Sequence, residues 1–193
     1  MRWHSFGLLW LLLFNVGVQA EESIWLDHFV EEAKKVPAPW QVIQLDKKVS
    51  PTTYRIRDWD GILAIEASAE NSMALLARPV EVDLNRTPVM CWRWRVDAPL
   101  VKADMATKAG DDYAARVYVS FAMPPDELGF FLRTKLKLAR SIYGDVVPDA
   151  AINYVWDNRY PVGTRKPNAY TNRTRMIVAE SGEKNAGRWV VAR

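Results

Sequence analysis

Two arginines on alternate positions, Arg93 and Arg95, and a second alternating pair, Arg116 and Tyr118, are the side chains in this sequence best suited to hold a polar ligand. Arginine forks donate paired hydrogen bonds to carboxylates, and tyrosine or tryptophan faces stack on sugar rings. Side chains alternate along a strand, so if the two segments pair, all four residues share one face. That combination suits an oligosaccharide or an anionic glycan. Trp59 lies in a turn between Asp58 and Asp60 and offers one further ring as a ligand platform. The same residues also describe a solvated face laced with cross-strand ion pairs, each worth about 0.2–1 kcal/mol. Trp59 could equally cap the core from its turn.

Asp111 and Asp112 follow Gly110 at the entrance to the second segment. Adjacent carboxylates point opposite ways along a regular strand, so the two do not by themselves make a glycosidase pair. The favoured reading is structural, with one paired to an arginine and the other accepting loop amides. Two alternatives stay open. Either aspartate could act as acid or base if a distant segment brings a second carboxylate to roughly 5–9.5 Å. Asp104, Asp111 and Asp112 could bind calcium, although such a site wants six to eight oxygens and no loop has EF-hand spacing. No cofactor or metal is expected.

Composition narrows the chemistry further. The chain has 193 residues with two histidines and one cysteine, too few for a Cys/His zinc site. No Walker phosphate loop and no Gly-x-Gly-x-x-Gly occurs, which argues against nucleotide chemistry. Arg2 and His4, the apolar run from Phe6 to Phe14, and Val18-Gln19-Ala20 have the layout of a secretory signal over residues 1–20. Its apolar run falls short of the roughly 20 residues of a membrane span. Cleavage after Ala20 takes Arg2 alone among the charged side chains and lowers the formal charge from +3 to +2. The expectation is a periplasmic or secreted protein with no nucleic-acid partner and no membrane span in the mature chain. Cys91, between Met90 and Trp92, reads as a small buried side chain.

The elements that must position these residues are mostly strands. Residues 21–39 read as a helix capped by Ser23, with Leu26, Phe29, Val30, Ala33 and Val36 on one face and Pro37 and Pro39 ending it. From Trp40 the pattern turns to short strands: Trp40 to Leu45, Thr53 to Arg57, Ile62 to Ala67, Ser72 to Ala77 and Val80 to Leu84. Asp60-Gly61 predicts a tight hairpin between the second and third. Met90 to Val96 and Ala115 to Phe121 read as a central strand pair, with Trp92, Trp94 and Val96 facing a core and Arg93 and Arg95 facing out. Pro124 to Tyr143 reads as an inserted helix, followed by strands over Ala151 to Asp157, Arg175 to Ser181 and Arg188 to Ala192. Arg159 to Asn172 reads as a loop. Trp189 to Arg193 has a strand pattern without a closing turn, so the last strand or strands of the sandwich at 40–193 are expected to follow Arg193.

Four segments give the chain a resemblance to a known family. They are Cys91-Trp92-Arg93-Trp94-Arg95-Val96, the stretch from Lys108 to Phe121, Asn153-Tyr154-Val155-Trp156, and Met176 to Gly182. Together they resemble exported bacterial proteins of the domain-of-unknown-function family 3047, from about Trp40 onward. The resemblance implies export and a jelly-roll-like antiparallel β-sandwich, similar to galactose-binding folds, and implies no activity. Proteins of this kind continue past the final tryptophan strand into a segment with acidic and asparagine residues.

The expected function is a non-catalytic binding module for a glycan or another envelope component, acting through Arg93, Arg95, Arg116, Tyr118, Asp111, Asp112 and Trp59. The rivals are an enzyme acting on envelope polysaccharide through Asp111 or Asp112, and a structural partner in an envelope complex. The last would show an exposed apolar patch, most naturally on the helix after Asp126.

Overall fold

A computed structural model describes residues 23–143 and 147–193. The secretory pattern at 1–20 lies outside the described residues. The fold is mainly β with one helix. In chain order the elements are β1 (Gln41–Ile43), β2 (Thr53–Trp59), β3 (Ile62–Ser68), β4 (Leu75–Ala77), β5 (Trp92–Trp94), β6 (Arg116–Phe121), α1 (Phe130–Tyr143), β7 (Ala150–Asp157), β8 (Arg165–Pro167), β9 (Thr174–Ser181) and β10 (Val190–Ala192).

The centre is a four-stranded sheet in the order β6-β7-β9-β8. Its β6–β7 and β8–β9 pairs are antiparallel and its β7–β9 pair is parallel, with a bulge between Val155 and Trp156. Register places Arg116 opposite Val155 and Tyr118 opposite Asn153, and sets Met176 beside Asn153 on the other flank. One face therefore carries Arg116, Tyr118, Asn153, Val155, Met176 and Val178. The loop from Ala98 to Ala114 folds over this face, packing Ala103, Met105 and Tyr113 on Val155, Met176 and Val178. On the opposite face Trp94 and Val96 pack on Trp156, with Trp92, Val117, Ala179 and Val190 around them.

The expected pairing of the two central strands is corrected here. β5 pairs with β10, and β6 pairs with β7. Each of the two strands has one apolar and one polar face, and the structure uses them as layers. The tryptophans of β5 stack on the back of the sheet containing β6 and do not extend its ladder. Packed sheets stand roughly 10 Å apart, so Arg93 and Arg95 are separated from Arg116 and Tyr118 by the thickness of the core.

Residues 23–39 do not form the expected helix. Ala33 instead exchanges both backbone hydrogen bonds with Ile56, at 3.0 and 2.8 Å, on the free edge of β2, and Glu32 accepts the Asp58 amide at 2.9 Å. The Trp40 indole donates to Asp27 at 2.7 Å. These tertiary partners outweigh a helical face whose Leu26 and Val30 stay exposed. Val80 to Leu84 is likewise no strand; its alternation leads into a turn in which Asp83 accepts the amides of Asn85, Arg86 and Thr87. Cys91 is exposed, because its parity is that of Arg93 and not of the buried Trp94. The β2–β3 hairpin does form as expected: Asp60 and Gly61 both take positive φ, 60° and 78°, as a two-residue turn between twisted strands demands.

Candidate functional site

The seven residues expected to form one site divide into two groups. Arg116, at the start of β6, donates from Nη2 to Oδ1 of Asp111 at 2.8 Å and from Nη1 to the Tyr118 hydroxyl at 3.1 Å. A further bond runs from Nη2 to the Asp111 carbonyl at 2.9 Å. The second carboxylate oxygen of Asp111 accepts from the Asn168 side chain at 2.8 Å, and Asn168 in turn accepts the Tyr170 amide at 2.9 Å. Tyr170 closes the series by donating its hydroxyl to the Lys108 carbonyl at 3.2 Å. The result is a chain of polar contacts, Tyr118–Arg116–Asp111–Asn168–Tyr170, running across the mouth of the 98–114 loop.

Two partly exposed rings stand at its ends, Tyr118 at 42% and Tyr170 at 64% exposure, the latter with the Lys108 ammonium 5.2 Å from its centroid. Between them the Arg116 guanidinium lies 4.8 Å from the Tyr113 ring centroid and 5.7 Å from that of Tyr118. Burial works against the charge of Arg116, but Tyr118 and Asp111 offset this and hold its pKa above the ordinary arginine value. Burial also pushes the Tyr113 phenol well up, reinforced by the negative charges of Asp111 and Asp157. Tyr113 is therefore a neutral phenol at any physiological pH.

The geometry that holds Asp111 in place starts at Gly110. The Asp104 amide donates to the Gly110 carbonyl at 2.8 Å, drawing the two halves of the loop together. Asp104 accepts from Arg159 at 2.7 Å, from the Tyr160 hydroxyl at 3.3 Å and from the Ala106 amide at 3.0 Å. The Ala106 bond leads the causes that lower its pKa. Asp112 is exposed and accepts the Tyr113 amide at 3.0 Å. The three aspartates thus face separate partners, and among the described residues no group of three His, Cys, Asp or Glu side chains could hold a metal ion.

Beneath the chain a few polar atoms lie within the apolar packing of Val155, Met176 and Val178. Asn153 is fully buried and neither end of its amide has a partner among the described residues; the Tyr113 hydroxyl and Oδ2 of Asp157 share this condition. Interior groups of this kind ordinarily take a buried water or a ligand atom.

Trp59, Arg95 and Arg93 belong elsewhere. The guanidiniums of Arg57 and Arg95 lie over the Trp59 ring at 4.5 and 4.8 Å from its centroid, and Arg95 pairs with Asp60 at 2.7 Å. Trp189 donates its indole to the Trp59 carbonyl at 3.2 Å. Trp59 is thus half buried and stacked by arginines of its own chain, which ties the β2–β3 hairpin to the β5–β10 layer. Arg93 points outward from β5.

A family described as protein of unknown function (DUF3047) matches residues 38–193. The chain belongs to the DUF3047 family. Three of the four segments that carried the resemblance build this one region: Lys108 to Phe121 supplies the loop and β6, Asn153 to Trp156 the strand beside it, and Met176 to Gly182 the strand beyond. No curated protein and no solved structure matches the chain.

Asn168, Tyr170 and Tyr113 were not singled out by sequence reasoning. Asn168 and Tyr170 sit in a loop rich in Pro, Gly and Asn, where no periodicity points to them. A polar residue two positions before a tyrosine, within a long loop, is the one signal available. Tyr113 could have been read from its place directly after the two aspartates.

Proposed function

We propose that this DUF3047 protein is an exported, non-catalytic binding module that holds an oligosaccharide across Tyr118 and Tyr170. The observation that carries this reading is the pair of exposed tyrosine rings joined by the Arg116–Asp111–Asn168 chain. Sugar rings present apolar C–H faces to aromatic rings and a fringe of hydroxyls to paired donors and acceptors. Arg116 and Asp111 neutralise one another between the rings, and the Lys108 ammonium at the Tyr170 end adds a hydrogen-bond donor for sugar hydroxyls. The secretory pattern of residues 1–20 supports periplasmic or secreted placement. A jelly-roll-like, galactose-binding type of sandwich belongs to the same reading, supported by the packing of the β5–β10 layer on the central sheet.

Binding without turnover is favoured because Arg116 and Asn168 occupy both carboxylate oxygens of Asp111.

A glycan array followed by titration calorimetry tests the proposal. A bound oligosaccharide should lose about fivefold to tenfold in affinity in Tyr118→Ala and again in Tyr170→Ala, as removal of one stacked ring at about 1 kcal/mol implies. Affinity unchanged in both variants, or no sugar retained by the intact protein, overturns it.

A further inference from the structure

Helix α1 has two faces of different fate. Leu136 on α1 and Leu128 in the turn before it are buried against the protein, while Phe130 and Phe131 are 80% and 74% exposed. At about 100° per residue, Phe130, Thr134 and Leu138 form one outward line with Phe131 beside it. Lys137 and Arg133 flank this line on one side and Lys135 on the other, all three exposed. The helix contains four basic residues, Arg133, Lys135, Lys137 and Arg140, and no Asp or Glu. Arg133 and Lys137 also border a groove of about 430 Å³ between the helix and Met123, Pro125, Leu128 and Asp149.

We propose that α1 docks the protein on the surface of an anionic phospholipid bilayer. Two adjacent exposed phenylalanines on a soluble face are unfavourable in water, and a basic border on both sides is the complement of a negatively charged headgroup layer. A helix lying in the bilayer interface needs such an arrangement: aromatic side chains reaching the acyl boundary and cations at headgroup level. At 14 residues it lies on the membrane and does not cross it. The charge set selects lipid over a second copy of the chain: Arg140 is paired with Asp149, but two copies would still bring six exposed like charges, Arg133, Lys135 and Lys137 from each, together across an interface with no acidic side chain on either helix.

The test is co-sedimentation of the purified full chain with vesicles of phosphatidylglycerol and phosphatidylcholine, against vesicles of phosphatidylcholine alone. Wild type is compared with Phe130→Ala/Phe131→Ala and with Lys135→Gln/Lys137→Gln, so that any contribution from residues 1–20 is common to all. Partitioning onto anionic vesicles should fall about tenfold in each double variant, and salt should weaken the wild type more than the lysine variant. Circular dichroism checks that the exposed substitutions leave the fold intact. Equal partitioning of wild type and both variants overturns the proposal. So does a dimer in sedimentation velocity, without lipid, that the phenylalanine substitutions abolish.

Discussion

A methyl group on Gly110 would sit 2.7 Å from Cβ of Asp104 and 2.9 Å from its carbonyl oxygen. Real Cβ atoms do not approach so closely, and the obstacle is backbone and Cβ, which cannot swing aside. Gly110→Ala should therefore destabilise the protein by about 2 kcal/mol, as overpacking of a closed site does, and lower its melting temperature by about 5 °C. Thermal unfolding followed by tryptophan fluorescence gives the measurement; an unchanged midpoint would mean that the loop relaxes freely. The expectation that one of the adjacent aspartates pairs with an arginine and the other accepts a loop amide matches the structure, since charge and strand parity constrain local partners. Arg116 and Tyr118 do meet, being alternate residues of one strand. Arg93 and Arg95 do not join them, because alternation defines a face of a strand but not the layer in which that strand lies.

At the scale of elements, α1 is fixed to the sheet through Asp149, just before β7. Asp149 accepts the Met123 amide at 3.0 Å and the Arg140 guanidinium at 2.9 Å. The Met123 bond, followed by Arg140 and against the cost of burial, holds its pKa below the ordinary carboxylate value. A depressed folded pKa means the unfolded chain binds the proton more readily. The stabilisation is complete above about pH 4, the ordinary carboxylate range, and is lost as pH falls through the folded value. Asp149→Asn should cost about 1 kcal/mol at pH 7, below the usual value for a charged hydrogen bond because Arg140 is partly exposed and the amide keeps an acceptor oxygen. It should also flatten the loss of stability between neutral and acid pH. Urea titrations at pH 7 and pH 3 would show this; parallel losses in both proteins would exclude Asp149 as the acid-sensitive lock. The sequence announced the helix by its spacing but placed its start too early, because Pro124 to Glu127 form a separate turn closed by the Glu127 amide on the Pro124 carbonyl. β8 escaped notice because two basic residues and Pro167 have little strand propensity; an edge strand tolerates them.

For the whole molecule, the strands between Thr53 and Ser68, and those of β7 and β9, were legible because short β-branched and aromatic runs bounded by turn residues read as strands. Their arrangement was not. Which strands share a sheet depends on contacts far apart in sequence, such as Val96 accepting the Gly187 amide at 2.8 Å and Trp156 donating its indole to the Gly182 carbonyl at 3.1 Å. The N-terminal segment shows the same limit from the other side. Its helical spacing is real, yet Ala33 finds its partner on β2, which local sequence cannot foresee. The two surfaces proposed to bind therefore rest on different legibility. α1 shows its basic and aromatic residues directly in sequence, whereas the tyrosine-flanked chain exists only once the 98–114 loop and residues 168–170 meet.

The strands β6 and β7 are neighbours in the sheet and pair from Phe121 against Ala150, while the chain between those two residues travels out through α1 and back. In a directly connected hairpin this junction would need only a two-residue turn. The helical excursion is thus an insertion, and the two core clusters are built without any described residue of α1. Joining Phe121 to Ala150 through Asn-Gly should yield a shorter protein that still folds cooperatively, keeps its sugar affinity and no longer sediments with anionic vesicles. A product that fails to fold would show that the excursion is an organic part of the sheet and not a separable appendage. If the shorter chain folds, attachment and recognition are independent traits, and one can be exchanged without disturbing the other.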